Sequence, residues 1–191
     1  MNQIPPYHPP AGLSPCFVHK PRQPGYRPVW TLTDAEKLNP PNGILFDEED
    51  LLQFAEGSVA SVFGPAYKDY DTYSRRTRLP AREYLLCTRV TSMRAATNVF
   101  EAGASMSTEY DLPINSELSE GGDVPWAVLV ESGQCDLMLI SYLGVDFQCR
   151  GDRVYRLLDT TLTFYGVAHE GETLKYDIRV NGFAKVGLLW P

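Results

Sequence analysis

"DVPWAVLVESGQCDLMLISYLGVDF", residues 123–147, decides how the chain is read. From Val124 to Leu143 it has the length and apolar content of one buried helix, interrupted by Glu131, Gln134 and Asp136. A helix that is apolar on nearly every face must be covered on nearly every face. A carboxylate and an amide one turn apart on such a helix need a reason to be there. Asp136 lies almost half a turn away from Glu131 and reads as a separate hydrogen-bonding group.

The flanking sequence suggests the cover. "DEEDLLQFAEG" (47–57) opens on a capping aspartate with acids in the first turn, then carries Leu51, Leu52 and Phe54 and stops at Gly57. It predicts a short amphipathic helix, which "SVASVFG" extends to Gly64. "EYLLCTRVTSM" (83–93) and "TNVFEAGASMSTEYDL" (97–112) read as a strand and its hairpin partner. Beyond the helix, "DRVYRLLDTTLTFYG" (152–166), broken near Leu158, and "ETLKYDIRVNGFA" (172–184) give three strand candidates, with the turn "VAHEGE" before the last. Helix, strand pair, long apolar helix and antiparallel strands make an α+β chain. The architecture this predicts is a hot dog: a curved antiparallel sheet wrapped around a central helix at about 124–143. Residues 1–43 hold ten of the 15 prolines and are predicted to be a linker or extended arm without helix, with Trp30 pinning its end. The domain proper is then 44–191.

The bulk properties exclude some function classes. Twenty-four acids against 17 bases give a net charge of −7. That sign argues against nucleic acid or an anionic membrane as the main partner. Cys16, Cys87, Cys135 and Cys149 show no CxxC spacing and read as reduced, mostly buried thiols of a cytoplasmic protein. The first residues lack the charged and apolar regions of a signal peptide, and the longest apolar run is far too short to span a membrane. No set of His, Cys and carboxylates has metal-ligand spacing, so no metal is expected.

With those residues in view, the helix resembles the signature of hot-dog 3-hydroxyacyl-ACP dehydratases: His, seven residues, Pro-Gly, then a Glu or Asp on the central helix. Pro125 stands at the motif proline, Glu131 at the carboxylate and Gln134 one turn on. "RLPAREYLLCTRV", "TEYDLP", "VPWAVLVESGQCDLMLISYLGVDF", "GDRVYRLLDTTLTFYG" and "GETLKYDIRV" together resemble the first dehydratase region of polyunsaturated fatty acid synthases and related iterative polyketide synthases. The likeness runs over about 45–184. It implies loss of water from a 3-hydroxyacyl thioester carried on the phosphopantetheine of an acyl carrier protein, with no other cofactor bound. It also implies a second hot dog as partner, in a homodimer or a tandem pseudo-dimer. Pro125 and Trp126 would line the thioester site, Glu131 would be the acid and Gln134 would orient it.

The sequence departs from the family at two positions. Glu117 stands where the motif has His, and Trp126 where it has Gly. His8 and His19 fall in the proline-rich stretch, and His169 falls in a turn and reads as solvated. The base would therefore come from a partner. A hot dog of this family also continues into further long strands where this sequence reads "VGLLWP", so the sheet is expected to lack its last strands. Arg75, Arg76, Arg78 and Arg82 could dock an acidic carrier protein or simply protect a solvated edge. "YKDYDTY" reads as loop packing. Three readings stand: a catalytic half of a dehydratase, a non-catalytic structural partner, and an acyl-thioester hydrolase on the same fold.

Overall fold

In a computed structural model, residues 25–152 and 160–183 can be described, the side chain of Arg82 excepted. Cys16 and much of the predicted 152–166 strand lie outside them.

The fold is mixed α+β. The described residues form six short α-helices: α1 (Asp34–Leu38), α2 (Glu48–Glu56), α3 (Val59–Phe63), α4 (Trp126–Glu131), α5 (Asp136–Tyr142) and α6 (Val145–Cys149). They also form five strands: β1 (Arg89–Arg94), β2 (Ser105–Asp111), β3 (Asp123–Val124), β4 (Ala168–His169) and β5 (Thr173–Arg179). Strands β1, β2 and β5 make an antiparallel sheet in that spatial order, and β3 pairs with β4. The sheet obeys the period-2 rule. Its inner face carries Val90 and Met93 on β1 and Met106, Thr108 and Tyr110 on β2, all buried. Val90 and Met93 both point inward although three residues apart, because the register shifts between Val90 and Ser92 and the bulge inserts one residue. The outer face is a charged ladder. Arg89 bridges Glu109 (2.6 Å) and Asp111 (2.6 Å), and Lys175 reaches Glu109 (3.0 Å).

Asp47 caps α2 as predicted. Its carboxylate accepts from the Asp50 N–H at 3.0 Å, and the Asp50 carboxylate accepts from the Asp47 N–H at 3.3 Å. Gly57 ends the helix, so the continuation to Gly64 is a separate helix, α3, capped by Ser58. The reason lies in the sequence between them: Ser58 Oγ accepts from the Ser61 N–H, which restarts the helix.

Three predictions need correction. The proline-rich stretch does hold a helix: α1 fits between Pro28 and Pro40, started by a reciprocal Thr33–Glu36 capping box. Val29 beside it is buried, and Trp30 does pin this segment, lying across Gly64. A Cβ at position 64 would come within 2.8 Å of the Trp30 ring, and its φ of +104° already favours glycine. The second correction concerns 124–143, which is not one helix. It breaks between α4 and α5, where Gly133, Gln134, Leu137 and Met138 donate to carbonyls three residues back. Nor does a predicted strand run through 160–166, whose described residues are irregular and exposed.

The core gathers around α5. On one side it meets β2. On the other stands the 3-10 segment Pro65–Thr72, whose Tyr67 and Tyr70 are fully buried. Tyr67 donates to the Tyr142 carbonyl, and Tyr70 donates to the Ser141 carbonyl at 3.1 Å. Their rings join Phe63, Tyr142 and Phe147 in edge and tilted contacts. Burial pushes both phenols well above the usual tyrosine range, so they remain donors. "YKDYDTY" is therefore packing, as its sequence suggested. A smaller cluster of Leu86, Tyr110, Leu112, Val124 and Ala168 sits under α4.

Candidate functional site

Helix α4 starts at Pro125, whose carbonyl accepts from Val128 N–H at 3.0 Å. A proline here costs nothing, since its missing N–H would have no partner in the helix. Trp126 follows with 62% of its surface exposed, and no residue of α4 is buried. Glu131, its last residue, is exposed rather than enclosed by its apolar neighbours. Gln134 lies beyond the break. Its side-chain amide donates to the Glu131 carboxylate at 2.6 Å, so the structure brings this pair together.

Two residues that sequence reasoning did not single out tie the last turn of α4 to the sheet. Ser132 is buried, and its hydroxyl bonds the Val128 carbonyl at 2.7 Å. Tyr176 reaches across from β5, with its hydroxyl 2.8 Å from the Leu129 carbonyl and 2.5 Å from Ser132 Oγ. Gly133 leaves room for this ring: a Cβ there would sit 3.4 Å from it. Burial raises the Tyr176 phenol, and the Ser132 hydrogen bond only partly opposes that. These bonds take up carbonyls near the C-terminus of α4 and explain why the helix loosens there. The available signal was Ser132-Gly133 inside an apolar helix, together with the alternation of "LKYDIR", which turns Tyr176 inward.

Glu117, at the motif histidine's position, is exposed in the 113–122 loop. That loop is held by Glu170, which accepts from the N–H groups of Asn115 (2.9 Å) and Ser116 (3.0 Å). Those hydrogen bonds, Asn115's first, hold the Glu170 carboxyl below its usual range. His169 is exposed, as expected, and its Nδ1 lies 2.9 Å from Asp123 Oδ1 across the β3–β4 pair. This places an imidazole and a carboxylate two residues before Pro125. Among the described residues, no hydrogen bond links Glu131 or Gln134 to Glu117 or His169.

The arginines divide. Arg76 bonds Asp71 (2.8 Å) and the Tyr70 carbonyl (3.0 Å). Arg78 donates to the carbonyls of Phe54, Ala55 and Gly57, each at 2.9 Å. Arg78 thereby satisfies the C-terminal carbonyls of α2 and complements the dipole there. Arg75 is exposed; Arg82 opens the 3-10 turn Arg82–Tyr84. Cys87, Cys135 and Cys149 are free thiols, the first two buried. Among the described residues, no group of three His, Cys, Asp or Glu side chains is placed to hold a metal ion. None of their helices is long and apolar enough to cross a membrane.

Known proteins add one decisive likeness to this geometry. Over 159 residues the chain is 69% identical to a subunit of the polyunsaturated fatty acid synthase of Thraustochytrium sp., a match that takes in 83% of the chain. The chain is a relative of that synthase polypeptide. It spans only 11% of the relative's length, so it corresponds to a small part of a much longer protein. No protein-family profile matches the chain, and no solved structure matches it.

Proposed function

We propose that this chain is a hot-dog component of a 3-hydroxyacyl-ACP dehydratase working in polyunsaturated fatty acid synthesis. The observation that carries the reading is the Glu131–Gln134 pair, joined at 2.6 Å at the break of the central helical segment, in a chain 69% identical to part of a synthase. The substrate is a 3-hydroxyacyl thioester on the phosphopantetheine of an acyl carrier protein. A base removes the proton from C2, which the thioester carbonyl acidifies, and the C2=C3 bond forms as the C3–O bond breaks. Glu131 gives its proton to the departing hydroxyl, which leaves as water, and the proton held by the base returns to Glu131 through solvent. Gln134 fixes the carboxyl's orientation. Backbone N–H groups at the start of α4, beside Pro125 and Trp126, face the thioester oxygen as it gains negative charge.

The base is a histidine of a second hot dog. Docking that partner over α4 would cover Trp126 and enclose Glu131 beside the substrate, where it would act as the proton donor. The acidic carrier protein would approach through exposed cations, Arg75 foremost. A second reading is favoured by one observation, the exposed Glu117 at the histidine's position: the chain would then complete the assembly without taking part in the chemistry.

The test is dehydration of a 3-hydroxyacyl N-acetylcysteamine thioester by the purified chain, alone and mixed with the histidine-bearing hot dog. Turnover only in the mixture, lost on Glu131→Gln, is the expected result. Turnover that survives Glu131→Gln establishes the structural role. Turnover by the chain alone would place the base within it and overturn the shared-site reading.

A further inference from the structure

A second set of polar groups lies at the C-terminal end of α5, away from Glu131. Lys37, on α1, is only 7% exposed, which is unusual for a lysine. Its ammonium lies 3.0 Å from an Asp34 carboxylate oxygen and 5.9 Å from the centre of the Tyr142 ring. Tyr142, on α5, is itself 1% exposed, and its hydroxyl is 2.9 Å from Thr97 Oγ1. Three distant parts of the chain thus deliver an ammonium and two hydroxyls to one place.

That place is a cavity of about 110 Å³, open to solvent. Lys37, Thr97 and Tyr142 line it, and its remaining walls are apolar, chiefly Val29, Trp30, Leu32 and Phe63. Gly64 lets Trp30 close one wall, since any side chain there would displace the indole. A few convergent polar groups in an otherwise apolar pocket is the usual composition of a small-molecule site.

The sign of the charge selects the ligand. Burial by itself would push the Lys37 ammonium down, but the Asp34 hydrogen bond and the nearby Tyr142 outweigh it and the net shift is upward, so the group is cationic. Its carboxylate partner, Asp34, has a side chain 92% exposed, so the compensating charge sits in water while the ammonium does not. A carboxylate entering the cavity would meet that ammonium in a medium where charge-assisted hydrogen bonds are strong.

We propose that this cavity binds a short aliphatic monocarboxylate, its carboxylate on Lys37 with Thr97 and Tyr142 beside it, and its hydrocarbon chain against Trp30, Leu32 and Phe63. Trp30 is the natural reporter. In the full chain carrying Trp126→Phe and Trp190→Phe, hexanoate should change Trp30 fluorescence saturably. Hexan-1-ol, which keeps the tail and lacks the charge, should bind about tenfold more weakly or worse. Lys37→Met should weaken hexanoate by a similar factor. Should Lys37→Met fail to fold, Thr97→Val, at an exposed position on the rim, should weaken hexanoate severalfold while leaving hexan-1-ol unchanged. Equal binding of acid and alcohol, hexanoate binding that Lys37→Met leaves intact, or no saturable signal would each overturn the proposal.

Discussion

The segment 124–143 contains two helices that share a composition and differ in everything that surrounds them. Helix α5 buries Leu137, Met138, Leu139, Ser141 and Tyr142 between the sheet and the aromatic 3-10 segment. Helix α4, equally apolar in sequence, buries none of its residues and rests on a small satellite cluster. An apolar helix left uncovered marks a place of contact with something else. The candidate pair Glu131–Gln134 stands where the covered half gives way to the uncovered one.

The largest expected effect comes from a matched pair of truncations. Leu139→Ala, at a fully buried position, should cost about 2–5 kcal/mol in urea unfolding. Val128→Ala on half-exposed α4 should stay within about 1 kcal/mol. Similar losses at the two positions would break the comparison.

Removing single hydroxyls sharpens it. Tyr70→Phe takes a donor from the Ser141 carbonyl and an acceptor from the Asp146 N–H, both buried, and should cost about 1–3 kcal/mol. Tyr176→Phe, which unties the α4–α5 break from β5, should cost about 1 kcal/mol and speed amide exchange at Ser132 and Gly133.

The sheet's outer ladder sets the response to acid. Hydrogen bonds from Lys175 and Arg89 hold the Glu109 carboxyl below its ordinary 4.5, and those from Arg89 and Thr173 hold Asp111 below its ordinary 3.8. Folded values below unfolded ones mean stability that is fully present above pH about 4.5 and lost as pH falls through the folded values. Melting temperature should therefore drop between pH about 5 and about 3, and Arg89→Met should flatten that limb. An unchanged acid limb in the variant would remove the ladder from the account.

The smallest effect on stability belongs to Glu131→Gln. An exposed carboxylate with one neighbouring amide should change unfolding by no more than about 0.5 kcal/mol, even though the same substitution is expected to abolish dehydration in the paired assay.

Local features are legible in the sequence, and long-range ones are not. The Asp47 cap, the Gly57 stop and the strand "TLKYDIR" follow from rules that span a few residues. The proline count misleads over α1, because Thr33 and Glu36 form a local cap that fits between two prolines. Periodicity cannot show that the 124–143 run breaks, since part of what holds the break is Tyr176, which bonds Ser132 from 44 residues away. A still larger separation hides the burial of Lys37 against Tyr142. Likewise, nothing local tells Arg76 and Arg78, committed to carbonyls and Asp71, from the exposed Arg75.

One boundary of the sheet carries a rule of its own. Beside β1 the chain at Leu45 and Phe46 exchanges hydrogen bonds with Val90, whereas among the described residues no strand pairs with the outer side of β5. Along that side the exposed positions read Lys175, Asp177, Arg179. A copy of β5 laid antiparallel about Asp177 would set lysine against arginine and aspartate against aspartate. Shifted by one residue, to turn about Tyr176, it would set Lys175 against Asp177 twice. Opposite charges across strands attract and like charges repel, so the charges on β5 favour the register about Tyr176 over the one about Asp177.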